Sequence, residues 1–70
     1  MEPEQQFAEN LRRHRLRAGL SQEKLGDRCD LHRTEVGLLE RGERRPRLDT
    51  IARLARGLGV TPAQLMRGIR

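Results

Sequence analysis

Ser21, His14 and Asp27 are residue types that could form a hydrolytic triad, and His14, Cys29 and His32 are types that ligate zinc. Nothing in so short a chain supplies a pocket or an oxyanion site beside the serine, and zinc takes four protein ligands, or three and a water. Ser21 therefore reads as a helix cap, His14 as a residue at the edge of the core and Cys29 as a small buried apolar side chain. Anion recognition has more material behind it. The run RGERRPR, residues 41–47, holds four arginines and one glutamate, and guanidinium groups grip phosphate oxygens in two-pronged fashion. Alone, such a run is a solvated loop; its meaning depends on the elements around it.

Seventy residues make room for one small domain over 1–70, and fifteen basic against ten acidic residues leave a net charge of +5. Fourteen of the bases are arginine, a balance that suits an anionic partner. Leu, Ile, Val and Phe number 16 of 70, just above the level at which chains stay disordered. The core is therefore thin, and a second copy would add to it. No apolar run exceeds two residues, which argues against a transmembrane span or a signal-peptide core. The single cysteine cannot form an internal disulfide, so a cytoplasmic protein is expected.

Turn signals divide the chain into five short helices. The first, about residues 4–18, carries Phe7, Leu11, His14 and Ala18 at helical spacing between Pro3 and Gly19. The second starts at Ser21, buries Leu25 and Cys29 and ends near Asp30. The third, about 33–41, turns Val36 and Leu39 inward and stops at Gly42. The fourth, about 48–58, has apolar residues at 48, 51, 55 and 58 and stops at Gly59. The fifth opens on Thr61, Pro62 and Gln64, the pattern of a capping box. No segment alternates apolar and polar residues over a strand's length, so the expected fold is all-α, a compact five-helix bundle.

Between Gln22 and Arg41, two of these helices are joined by the short turn Asp30, Leu31, His32. Packing them at a steep angle needs a small residue at the crossing, a turn residue tolerant of positive φ, and apolar residues inside the second helix. Gly26, Asp30, Val36 and Leu39 meet those needs, as they would in other tight helical hairpins.

The stretch LSQEKLGDRCDLHRTEVGLLERGERRPRLDTIARLARGLGVTPAQL, with LSQ, ERG, Pro46 and ARGLGV in that order, resembles the Cro and lambda-repressor-like helix-turn-helix family of bacterial and phage regulators. The similarity covers about residues 7–66, and LHRT is also similar to the small controller proteins of restriction–modification systems. The resemblance implies a five-helix domain whose third helix lies in the major groove of double-stranded DNA, usually as a symmetric dimer. Gln22 matches the first residue of the motif, which faces a phosphate. Arg33 and Thr34 match the first exposed positions of the recognition helix, where base edges are read, and Arg33 suits guanine O6 and N7. Leu38 stands where many relatives carry a polar reader and could contact a thymine methyl; Glu35 could accept from cytosine N4 or orient Arg33. Arg41, Arg44, Arg45 and Arg47 match the loop that tracks the sugar–phosphate backbone. Arg15 and Glu40 match a structural ion pair between the first and third helices.

Several positions depart from the family pattern. Asp30 replaces the usual turn glycine, which Asp tolerates better than most residues. Gly26 stands where Ala is common and Gly37 lies inside the recognition helix, each costing up to about 1 kcal/mol of helix propensity. His32 replaces the usual Ser or Thr, and is expected to be a weaker cap or a phosphate contact. Cys29 stands where Leu is usual. Glu9 is spaced to pair with Arg13.

Leu54, Leu58, Val60, Leu65, Met66 and Ile69 exceed what one face of two short helices needs for a small core; terminal core packing with some exposed apolar surface would account for them, and a homodimer interface is the favoured expectation. Two copies could read half-sites about one helical turn apart, roughly 34 Å. The expected function is a sequence-specific, double-stranded DNA-binding transcriptional regulator reading an inverted repeat, without catalysis, cofactor, metal or small-molecule ligand. An antitoxin-type repressor and a protein-interaction module on the same fold are the alternatives. Leu38 and the scarcity of polar readers favour protein docking; the RGERRPR loop favours DNA.

Overall fold

The computed structural model describes all 70 residues and contains five α-helices: α1 Pro3–Arg17, α2 Gln22–Cys29, α3 Arg33–Glu40, α4 Leu48–Leu58 and α5 Pro62–Leu65. The all-α class and the order of elements are those expected. Local chemistry sets the boundaries. The Ser21 hydroxyl accepts the Lys24 amide at 3.0 Å, Thr61 and Gln64 exchange both bonds of a capping box, and Pro62 follows at the first helical position. α2 closes on Asp30 in the left-handed region, φ 58°. No helix is long and apolar enough to cross a membrane.

Phe7, Leu11, Leu25, Val36, Leu39, Leu54 and Leu65 are fully buried, so every helix contributes to one core. The inward face of α1 differs from the expected stripe. Ala18 is exposed and His14 half-buried, whereas Ala8, Asn10 and Arg15 turn inward. Asn10 tolerates burial because its amide donates to the carbonyls of Leu65 at 2.8 Å and Arg67 at 2.9 Å, closing a helix too short to satisfy its own C-terminus. Its Oδ1 accepts from Gln6 and Arg13, each at 3.0 Å. Arg13 thus bonds Asn10 rather than Glu9.

So small a core consumes nearly all the apolar residues of α4 and α5. Leu54 and Leu65 are wholly enclosed, which removes them from the interface expected for them. Leu58, Val60 and Ile69 are half-buried against the same cluster, while Met66 is exposed. Leu48, placed in the apolar stripe of α4 by its spacing, stands 87% exposed.

Two close approaches fix the crossings of α2. A Cβ on Gly26 would lie 2.4 Å from the Leu31 carbonyl oxygen, so the turn into α3 passes where only glycine leaves room. A Cβ on Gly57 would lie 2.3 Å from Cys29 Sγ. The cysteine in place of leucine and the glycine opposite it are one packing solution between α2 and α4.

Candidate nucleic-acid interface

α3 begins with Arg33, Thr34 and Glu35 turned outward or half outward, and Val36 and Leu39 anchored in the core. Its start is capped by a ring nitrogen: the Thr34 amide donates to His32 Nδ1 at 3.0 Å. With Nδ1 accepting, the neutral ring carries its proton on Nε2. His32 itself is exposed. The end of α3 is held by α1. Arg15 donates from Nε to Glu40 at 2.6 Å and from its terminal nitrogen at 2.9 Å, and its other terminal nitrogen donates to the Leu20 carbonyl at 2.9 Å. The Glu40 carboxylate raises the Arg15 pKa, against the opposing effect of burial.

Gln22, at the start of α2, donates to Glu40 at 3.2 Å, so the Arg15 pair also orients the first residue of the motif. Gly37 lies beside it. A Cβ there would come within 3.2 Å of the Arg41 guanidinium and 3.7 Å of the Gln22 side-chain oxygen. The helix-weakening glycine makes room for two of the residues carried over as phosphate contacts.

The arginines expected to contact DNA each meet a carboxylate of the same chain. Arg33 pairs with Glu23 at 3.1 Å, Arg44 with Glu35 at 3.1 Å, Arg41 with Glu43 at 3.0 Å and Arg47 with Asp49 at 3.4 Å. Arg45 pairs with Glu4 at the start of α1, and this contact, first among the causes, lowers the Glu4 pKa. Glu35 thus orients Arg44 and not Arg33, whose carboxylate partner comes from α2. Gln5 adds a bond to the Arg41 carbonyl at 3.3 Å, so the first turn of α1 clasps residues 41–45. Spacing gave no signal for Glu4, Gln5 or Glu23, because each acts across a tertiary contact. Leu38 is half-buried, on the same helix as the exposed Arg33 and Thr34. No group of three or more His, Cys, Asp or Glu side chains is placed to hold a metal ion.

A family described as a helix-turn-helix domain matches residues 6–67. This chain belongs to that family. Relatives of this helix-turn-helix protein include the control protein C.BamHI of Bacillus amyloliquefaciens, 44% identical over 61 residues, spanning 86% of this chain and 75% of that one. The control protein C.SmaI of Serratia marcescens is 42% identical over 60 residues, 86% of this chain and 71% of its own. Among solved structures, the restriction-modification controller protein C.AhdI of Aeromonas hydrophila superposes with a TM-score of 0.87 at 40% identity, covering 89% of this chain and 94% of the other. The family is one of DNA-binding regulators of transcription and not of enzymes.

Proposed function

We propose that this helix-turn-helix protein is a controller-type transcriptional regulator that binds double-stranded DNA sequence-specifically as a homodimer, reading an inverted repeat. The observation that carries the reading is the exposed start of α3, with Arg33 and Thr34 outward, flanked by Gln22 on one side and residues 41–47 on the other. Arg33 reads a guanine, and Thr34, Glu35 and Leu38 read its neighbours. Gln22, His32 through Nε2, Arg41, Arg44, Arg45 and Arg47 contact phosphates. Its likeness to control proteins supports a role in regulating the genes of a restriction–modification system, in the cytoplasmic compartment that holds the DNA.

The homodimer reading rests on one apolar face. Leu48, Ile51, Met66 and Ile69, with Pro3 and Pro46, line a groove of about 430 Å³, and the rim carries both signs, Glu2 and Glu4 against Arg45. A mixed-sign rim around an apolar centre suits a self-complementary contact between two copies. Met66 and Ile69 of the expected interface lie on this face, joined by Leu48 from α4, while Leu58 and Val60 do not line it.

Two measurements test the reading. Titration of a mixed-sequence duplex should give a log–log salt slope that falls by about 0.9 for each phosphate-contacting arginine removed, taken through Arg44→Gln, Arg45→Gln and Arg47→Gln. An unchanged slope would remove the loop from the interface. Sedimentation should find a dimer that Leu48→Asp or Met66→Asp dissociates. A wild-type monomer at concentrations where DNA is bound specifically would overturn the homodimer.

A further inference from the structure

Fifteen basic and ten acidic residues give the chain its charge of +5, but that excess is absent from the helix-turn-helix face. Six arginines, Arg15, Arg33, Arg41, Arg44, Arg45 and Arg47, are matched by six carboxylates. Setting these aside leaves nine bases and four acids, so the whole of the +5 lies elsewhere. Part of it converges where the end of α2 meets α4. Arg28, Arg53 and Arg56 line a depression of about 250 Å³ with Cys29 and Asp30.

Two of the three guanidinium groups are held by backbone carbonyls rather than by a carboxylate of their own. Arg28 donates to the Gly57 carbonyl at 3.5 Å and Arg53 to the Asp30 carbonyl at 3.3 Å. Arg53 also approaches Asp49 at 3.9 Å, a carboxylate already paired with Arg47. Asp30 adds one negative charge to the rim and forms no ion pair with the arginines, so the depression keeps an excess of two positive charges. Arg28 and Arg56 both act on buried Cys29, opposing the upward push of burial on its thiol pKa. Their charges therefore bear on the same small space.

We propose that this depression, at the end of α2 and away from the exposed start of α3, is a second anion site that binds phosphate oxyanions. Arg28 and Arg53 keep N–H donors beyond those their backbone bonds use, as does Arg56, and three guanidinium groups from two helices can surround a tetrahedral anion that a single surface arginine cannot hold. The phosphate comes either from duplex DNA beyond the operator contact or from a small phosphorylated molecule. Arg53 connects the site to recognition, since its backbone bond is to Asp30, two residues before the His32 cap of α3.

The test compares the wild-type chain with Arg28→Gln/Arg56→Gln and with a control, Arg12→Gln/Arg17→Gln, which removes equal charge from α1. Inorganic pyrophosphate is titrated at constant ionic strength while the arginine Nε–H resonances are followed. Expected are saturable shifts at Arg28, Arg53 and Arg56, with affinity falling about tenfold or more in the site variant and unchanged in the control. A mixed-sequence duplex of about 30 base pairs, titrated against salt, separates the sources. A slope lowered by about 1.8 in the site variant alone assigns the phosphate to DNA, and an unchanged slope in a variant that has lost pyrophosphate affinity assigns it to a small molecule. Non-saturable pyrophosphate shifts, or equal losses in site and control variants, would overturn the proposal.

Discussion

Arg15 on α1 clamps Glu40, the last residue of the recognition helix, through two hydrogen bonds of 2.6 and 2.9 Å, with side-chain exposures of only 11% and 4%. Because Glu40 also receives Gln22 at 3.2 Å, one pair sets the orientation of both helices of the motif. Removing either partner leaves a buried charge unmatched. Arg15→Ala and Glu40→Ala should each cost about 3–5 kcal/mol in urea unfolding, and Arg15→Met/Glu40→Leu should recover most of that loss. A single variant as stable as wild type would show that other contacts orient α3.

Arg33 and Arg45 are both ion-paired in the free protein, to Glu23 and Glu4, and such exposed pairs are screened by solvent and add little stability. DNA can therefore replace them at small cost. Arg33→Ala should weaken the preferred sequence by roughly 1–3 kcal/mol and relax preference at one base position, whereas Arg45→Ala should weaken all sequences nearly alike. Competition binding with single-base variants of the preferred duplex distinguishes them. Equal losses on preferred and random DNA for the Arg33 change would remove it from base reading.

The facing pair Gly57 and Cys29 gives a prediction about sign. Alanine is the better helix former by about 1 kcal/mol, yet a Cβ at residue 57 would sit 2.3 Å from Cys29 Sγ. Gly57→Ala should destabilise the chain by about 1–3 kcal/mol through overpacking. In a Cys29→Ala background the same change should be neutral or stabilising. A double-mutant cycle by thermal unfolding measures the coupling, and additivity would contradict the packing described.

His14 makes stability depend on pH. Burial, then the charges of Arg13 and Arg17, hold its pKa below the ordinary value of 6.5, with a smaller contribution from Arg67 and an opposing one from the Gln64 backbone. The unfolded chain binds a proton near pH 6.5 and the folded one only at lower pH. The contribution is full above about pH 6.5 and is lost progressively as pH falls towards the folded value. Urea midpoints should therefore drop between about pH 7.5 and pH 5.5, and His14→Gln should flatten part of that drop. An identical drop in His14→Gln would remove His14 as its cause.

Much of the fold was legible because its signals are local. Ser21, Thr61 with Gln64, and Asp30 each act within a few residues, so caps and turn could be read along the chain. What escaped depends on contacts between distant segments. Leu54 and Leu65 looked surplus to the core until five helices closed over them, and Leu48 fell on an apolar stripe yet faces outward. Asn10 gave no sign of burial because its partners are the carbonyls of Leu65 and Arg67, more than 50 residues away. At the surface, the arginines of 41–47 were legible as a charge cluster. Their neutralisation by Glu4, Glu35, Glu43 and Asp49 was not, since three of those carboxylates come from the helices α1, α3 and α4.

In the proposed function, α3 reads duplex DNA by sequence, two copies at a time. The decisive experiment is selection of bound duplexes from a random-sequence pool at about 150 mM salt, where weak non-specific binding is suppressed. Enrichment of an inverted repeat whose half-sites are about ten base pairs apart, centre to centre, is expected. Recovery of no enriched sequence by folded protein would contradict it and favour a surface that docks protein instead.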